Sequence, residues 1–409
     1  MYKSEELIAL AKRENNSKRS FLLVNRLQGK HIPVAPTRSL RLFSSLTDKI
    51  RPPLSGELNF PGEKDFPFTS PQEPLPSLPQ NDGTESRLLV IGFAETATAI
   101  GAHIAIALGA RYIQTTRESY EDCRYLRFSE EHSHASEQKL IRDPLDDAIE
   151  QISDILFVED EITTGKTIRN IVTLLRRTYG RRLRFHAASL INGMDDDSLR
   201  LFEEEEIRCY FLLKTDHSTC DLAAERIPAD GSILSLYPRE REAVCSSKAE
   251  EASLCFSEIP GGMNARRLCH AKDYERACLD LIRCLGEIFD KELHAAPQRI
   301  LVLGTEECMY PAIFVGSHLE SLGHQVWTHS TTRSPICVSS DPIYPLQTRA
   351  EICSPYESSR KTFLYNLASY DSIYVITDAE HRGTLVPALL ACGNRKINWI
   401  RWCNDENIL

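Results

Sequence analysis

The stretch Ile155-Leu156-Phe157-Val158-Glu159-Asp160-Glu161-Ile162-Thr163-Thr164-Gly165-Lys166-Thr167-Ile168 decides how this chain is read. Its first four residues are apolar without polar alternation, the pattern of a strand covered on both faces, as in parallel sheets. Two acids, Glu159 and Asp160, then emerge at the carboxyl end, where open α/β sheets take ligands. Ile162 to Thr167 read as a turn before a helix whose apolar positions Ile168, Ile171, Val172 and Leu175 recur at helical spacing. A helix start leaves amides without intrahelical partners and carries partial positive charge, so a phosphate fits there. Gly165 permits close backbone approach, and the hydroxyls of Thr163, Thr164 and Thr167 can donate beside Lys166. Adjacent ionised carboxylates only accept hydrogen bonds, so Glu159 and Asp160 together suit a vicinal diol such as a ribose offers. Gly165-Lys166-Thr167 does not end a nucleoside-triphosphate P-loop, because that motif needs a glycine where Asp160 stands.

Outward from this stretch, apolar runs at 88–92, 110–116, 185–191 and 209–213 join 155–160 in alternating with helical patterns. That alternation predicts an α/β fold with a Rossmann-like parallel sheet. Residues 1–50 precede it as an N-terminal segment, beginning with an expected amphipathic helix at MYKSEELIALAKREN. From 51 to 87 the prolines, among them Pro52 and Pro53, predict a linker or arm without regular structure. The catalytic domain is expected over 88–245, and 215–261 reads as a boundary region of mixed charge broken by proline and glycine. A second α/β unit follows over 262–409, with a helix striped by Tyr274, Cys278, Leu281, Ile282, Leu285 and Phe289 and strands at 299–304, 324–330 and 372–377.

Composition narrows the function classes. The 409 residues, 42% hydrophobic and 26% charged, match soluble two-domain proteins rather than disordered or membrane ones. No apolar run is long enough for a bilayer span, and no secretory segment opens the chain, so a cytoplasmic protein is expected. The 13 cysteines are odd in number and lack zinc spacing, which reads as reduced thiols. A net charge of −10 opposes bulk nucleic-acid binding while leaving room for a local phosphate site.

A second phosphate-type loop follows the first strand. In LLVIGFAETATAIGA, residues 88–102, the segment Phe93, Ala94, Glu95, Thr96 and Ala97 leads into a helix carrying Ile100, Ile104 and Leu108, so amides again point at an anion. The histidines His132 and His134 lie two apart on a polar stretch and read as solvated rather than as metal ligands.

At these residues the chain resembles the type I phosphoribosyltransferase family, whose fingerprint is an apolar strand, two acids and a Thr-Thr-Gly-like loop; Glu161 departs from it where an aliphatic residue is usual. The strings LQGKHIPV, GFAETATAIGA, YIQTTRE, FSEEHSHASEQ, VEDEITTGKT and STTRSPI together resemble the orotate-type members of tellurite-resistance gene clusters that carry a C-terminal TRSP domain. The resemblance implies Mg²⁺-dependent transfer of ribose 5-phosphate from phosphoribosyl pyrophosphate (PRPP) to a base or base-like acceptor, or the reverse. It implies Glu159 and Asp160 on the ribose, residues 162–167 on the 5′-phosphate, and residues 93–97 with Arg117 on the pyrophosphate. It also implies that residues 1–50 cover the substrate, a hood over 125–140 that includes His134, and contacts from Lys30, His31 and Arg333. No dedicated protein cage for the metal is expected, since Mg²⁺ favours substrate oxygens with one or two carboxylates such as Glu159 and Asp160. Small-molecule partners and a homodimer are expected. The alternative is a protein of the same fold that senses PRPP or a nucleotide without turnover.

Residues 299–393 read as a degenerate copy of the catalytic half. IYVITDAEHRGTL at 373–385 aligns without gaps on ILFVEDEITTGKT at 155–167, setting Asp378 on Asp160, Gly383 on Gly165 and Thr377 on Glu159. Arg333 then follows the copy's second strand as Arg117 follows the first.

Overall fold

A computed structural model describes residues 2–14, 16, 19–55, 58, 60, 86–128, 138–180, 182–237, 252–292 and 296–404. The chain begins with α1 (Ser4–Leu7), β1 (Ile8–Lys12), β2 (Phe21–Asn25) and α2 (Pro36–Ser55). The first half continues through β3 (Leu88–Gly92), α3 (Thr98–Leu108), β4 (Arg111–Gln114), β5 (Tyr125–Phe128), β6 (Gln138–Ile141), α4 (Asp143–Ala148), β7 (Asp154–Ile162), α5 (Lys166–Tyr179), β8 (Arg184–Asn192), α6 (Asp196–Glu204), β9 (Ile207–Lys214) and α7 (Cys220–Glu225). The second half holds β10 (Ser232–Ser235), β11 (Ser253–Gly262), β12 (Cys269–His270), α8 (Ala271–Glu292), β13 (Arg299–Gly304), α9 (Tyr310–Ser321), β14 (Gln325–Ser330), β15 (Thr348–Cys353), β16 (Lys361–Tyr365), β17 (Ser372–Thr377), α10 (Leu385–Ala391) and β18 (Lys396–Asn404).

Two mainly parallel sheets organise these elements. The first has the order β12-β4-β3-β7-β8-β9, parallel except for the short β12, and the second the all-parallel order β11-β18-β17-β13-β14. The C-terminal half also takes in β10 and β11, upstream of the boundary expected at residue 262. Strands β3, β7, β13 and β17 are buried nearly along their whole length, as their apolar runs demand, apart from the acid-bearing end of β7 and the exposed Arg299 that opens β13. Between the sheets lie α3 and α9, apolar on nearly every side and buried accordingly, with α2 and α8 packed on both. One hydrophobic core therefore joins the halves, running from Ile91 and Phe157 through Ile104 and Phe314 to Ile300 and Tyr374.

The order β4-β3-β7-β8 recurs as β14-β13-β17-β18, and the hairpin β5–β6 recurs as β15–β16 between the corresponding strands. The register repeats too. Gly92 pairs with Val158 and Gly304 with Ile376, which sets Asp160 and Asp378 each two residues beyond the last pair. Gly165 and Gly383 are both left-handed, at φ 70° and 53°.

Two local expectations fail. The N-terminal helix covers only Ser4–Leu7; from Ile8 the chain is a strand antiparallel to β2, because Ala9 and Ala11 alternate inward with a period of two and a partner strand is available. Pro52 and Pro53 lie inside α2 rather than in a linker. Each costs one bond to the carbonyl four residues back, which a helix within a few residues of its end tolerates. Among the described residues no helix is long and apolar enough to cross a membrane.

Candidate active site

In the first sheet β3 leads to β4 on one side while β7 lies on the other, so the strand order reverses between β3 and β7, the position at which open α/β sheets take ligands. Strand β7 outruns β3: their pairing ends at Gly92 and Val158, but β7 continues beside β8 to Ile162. Glu159 and Asp160 therefore sit within the strand, whose open edge faces the loop after β3, and the turn starts later than its sequence pattern predicts. Neighbouring side chains of a strand diverge. Asp160 turns to that loop, where Thr96 Oγ1 donates to its Oδ1 at 2.7 Å, whereas Glu161 accepts from Arg19 and stands 3.4 Å from His217. Burial pushes the Asp160 carboxyl up to about 6; the Thr96 hydroxyl pulls against this, and the charge of Glu161 adds to it.

The turn after β7 is built to approach a ligand closely. Gly165 caps α5 in the left-handed region, and a Cβ there would stand 2.2 Å from Cε2 of Phe202. Phe202 is held by α6, which Asp195 starts by accepting from the Ser198 amide at 2.8 Å. The Arg169 amide bonds the Gly165 carbonyl at 3.0 Å, so the amides of Lys166 to Ile168 precede the first helical bond. Thr164 and Lys166 are exposed, Thr163 and Thr167 half-buried, and a hollow of about 290 Å³ opens beside them between α5 and α6.

Loop 93–97 is held from three sides. The Ala94 amide donates to Thr115 Oγ1 (2.8 Å), Gln138 Nε2 to the Ala94 carbonyl (2.5 Å), and Gln28 Nε2 to the Thr96 carbonyl (2.5 Å). Glu95 is buried, 3.0 Å from Lys30 Nζ, and accepts from Thr332 Oγ1 (2.6 Å) and the Arg333 amide (3.1 Å). Burial alone would raise its pKa; Lys30 and Arg333, with the Thr332 hydroxyl and Arg117, outweigh burial and hold it below the usual carboxylate range. Arg117 follows β4, gives its amide to Glu307 at 2.9 Å, and lends its charge to Glu95.

Lys30 and His31 are interior groups. Lys30 is fully buried, which lowers its pKa, and it also donates to the carbonyls of Glu306 (2.9 Å) and Thr331 (3.0 Å). Burial lowers His31 to about 3, so the ring is neutral. Arg333 reaches Glu306 at 2.6 Å and also Glu118, joining the halves through a buried charge network. Residues 129–137, with His132 and His134, lie outside the described residues; the flanking strands β5 and β6 pair as an antiparallel hairpin. Sequence reasoning missed Arg19, Gln28, His217, Thr332, Glu306 and Glu307. The one available signal was the recurrence of Thr-Thr-Arg at 115–117 and 331–333.

Comparison with known proteins gives two family matches. The family described as phosphoribosyl transferase (PRTase_2) matches residues 7–214, just over half the chain, and the TRSP domain, described as C-terminal to it, matches residues 268–392. Among solved structures, adenine phosphoribosyltransferase from Trypanosoma brucei in complex with AMP, pyrophosphate and ribose-5-phosphate is 12% identical with a TM-score of 0.33, covering 51% of this chain and 77% of that one. Orotate phosphoribosyltransferase from Aeropyrum pernix is 16% identical with a TM-score of 0.29, covering 53% and 93%. No curated protein matches the chain.

Proposed function

The chain belongs to the phosphoribosyl transferase family, and on that premise we propose that it moves ribose 5-phosphate between the pyrophosphate of PRPP and a nitrogen of a base or base-like acceptor. The observation that carries this is the strand-order reversal between β3 and β7, where Asp160, just ahead of the Gly165 turn, is bonded by Thr96 of loop 93–97. Glu159 and Asp160 accept the ribose hydroxyls, and their charge favours the positive charge that develops on the ribose as the bond to pyrophosphate lengthens. The amides and hydroxyls of residues 162–167 hold the 5′-phosphate. Loop 93–97 and Arg117 hold the leaving pyrophosphate, a guanidinium suiting its oxygens. Asp160, a half-buried carboxylate that burial drives toward neutrality, is a group that a nearby cation would relieve. Mg²⁺ bound with the substrate there would neutralise pyrophosphate charge, with Asp160 and Glu159 as its protein-side carboxylates. We place the activity in the cytoplasm, where the described cysteines, all free, stay reduced.

A second reading, a sensor of PRPP without turnover, draws on Glu95: an anion inside the pyrophosphate loop engages Lys30 and Arg333 itself. Exchange of labelled pyrophosphate into PRPP, with Mg²⁺ and a panel of bases, separates the two. Exchange that Asp160→Asn reduces at least about a hundredfold supports transfer. PRPP binding without exchange supports sensing, and no binding sinks both.

A further inference from the structure

The contacts between the halves are reciprocal. Glu95 is the third residue after Gly92 and Glu307 the third after Gly304. Glu307 accepts from Thr116 Oγ1 (2.8 Å) and the Arg117 amide (2.9 Å) of the first half, as Glu95 accepts from Thr332 Oγ1 and the Arg333 amide of the second. The threonines just before are matched as well. Thr115 and Thr331 give their amides to the carbonyls of Gly92 (3.0 Å) and Gly304 (3.2 Å), and their hydroxyls accept from the amides of Ala94 (2.8 Å) and Glu306 (3.0 Å). A cation completes each clasp from a segment lying along the other half's second strand. Lys30 precedes Val34, which bridges Thr328 of β14; Arg266 bonds Glu307 at 2.6 Å and precedes Cys269, which pairs with Tyr112 of β4.

Exchange of the same bonds in both directions is what two subunits make across a two-fold axis. Here one chain supplies both sides. The halves differ at the site itself. Asp160 is bonded by a hydroxyl from Thr96, whereas Asp378 is already taken by Arg266 and by the Tyr356 hydroxyl. Arg382, which stands where Thr164 does, lies over the Phe256 ring at 3.6 Å. The second site is filled by its own protein.

We propose that the second half is a built-in second subunit whose Thr332 and Arg333 position loop 93–97 of the first half through Glu95, leaving one phosphoribosyl site per chain. This rests on the phosphoribosyl reading of that site. Thr332 and Arg333 are positioning residues, acting on pyrophosphate through the loop.

The test uses the full-length chain. Light scattering is expected to give a particle of one chain, 46.3 kDa, at working concentrations. Calorimetry with Mg²⁺ and PRPP is expected to give one site per chain. Thr332→Val should weaken binding about fivefold to tenfold, by loss of one buried hydrogen bond to a carboxylate, and Thr332→Ser should restore it, which a packing defect alone would not produce. Wild-type affinity in Thr332→Val would overturn the proposal, as would an affinity that disappears on dilution in step with dissociation of a dimer. If the wild type binds no PRPP, the functional reading itself fails and the positioning role goes with it.

Discussion

Asp160 concentrates the chemistry of the site in one titration. Its carboxyl is raised to about 6 because burial disfavours the charge, so in the ligand-free protein it opposes folding above that pH. The raised pKa means the folded chain holds the proton more tightly. With respect to this group, stability rises as pH falls from about 6 toward about 4, and Asp160→Asn should be at least as stable as wild type at neutral pH. The ionised form accepts on both oxygens and carries the charge that favours the ribose cation, whereas protonation turns one oxygen into a donor, so PRPP affinity should drop as pH falls through about 6. Calorimetry between about pH 5 and about pH 8 should show that step in the wild type and not in Asp160→Asn, whose affinity is lower by about 1.5–3 kcal/mol. Equal affinities would remove Asp160 from the ribose. The acid pair itself was legible in the sequence; its environment was not, because the partner Thr96 comes from a loop 64 residues away.

The turn between β7 and α5 depends on an element that no local pattern announces. Gly165 is left-handed at φ 70°, and Phe202 of α6 fills the space a side chain would need. Gly165→Ala should therefore cost about 2–4 kcal/mol, backbone strain adding to overpacking, and denaturant unfolding should register it as a lower midpoint at unchanged slope. An unchanged midpoint would mean that α6 does not support the turn. Apolar runs marked strands β3, β7, β13 and β17 well because both faces of each are covered. The N-terminal segment misled for the converse reason: Leu7 to Ala11 fits a helix by spacing, and only the presence of β2 made the extended form better.

At the scale of the molecule, both halves share one core around α3 and α9, and the clasps place Glu95, Glu306, Glu307, Lys30, Arg266 and Arg333 between them. The halves should unfold together, as a single calorimetric transition; two separable transitions would count against a common core. Arg333→Met should lower stability by about 3–5 kcal/mol, since it strands buried carboxylates without their cation. Glu307, like Glu95, is held below the usual range: burial pushes it up, but Arg266 and Arg333 prevail. The stability these two contribute is present at neutral pH and is lost as pH falls through their depressed values, so unfolding in acid should begin at the interface.

By itself the sequence determined the parallel α/β class, the acid pair, the Gly165 turn, the loop after the first strand and the copied order of the second half. Those features are written in short windows, where apolar runs, glycine and helix starts have local physical meanings. Tertiary structure alone decided that Asp160 meets Thr96, that Lys30 and His31 are interior, that Asp378 is closed off by Arg266 and Tyr356, and that each half clasps the other's loop glutamate. Each of these joins residues distant in the chain, and a buried charge takes whichever partner the packing of two sheets around α3 and α9 brings within reach.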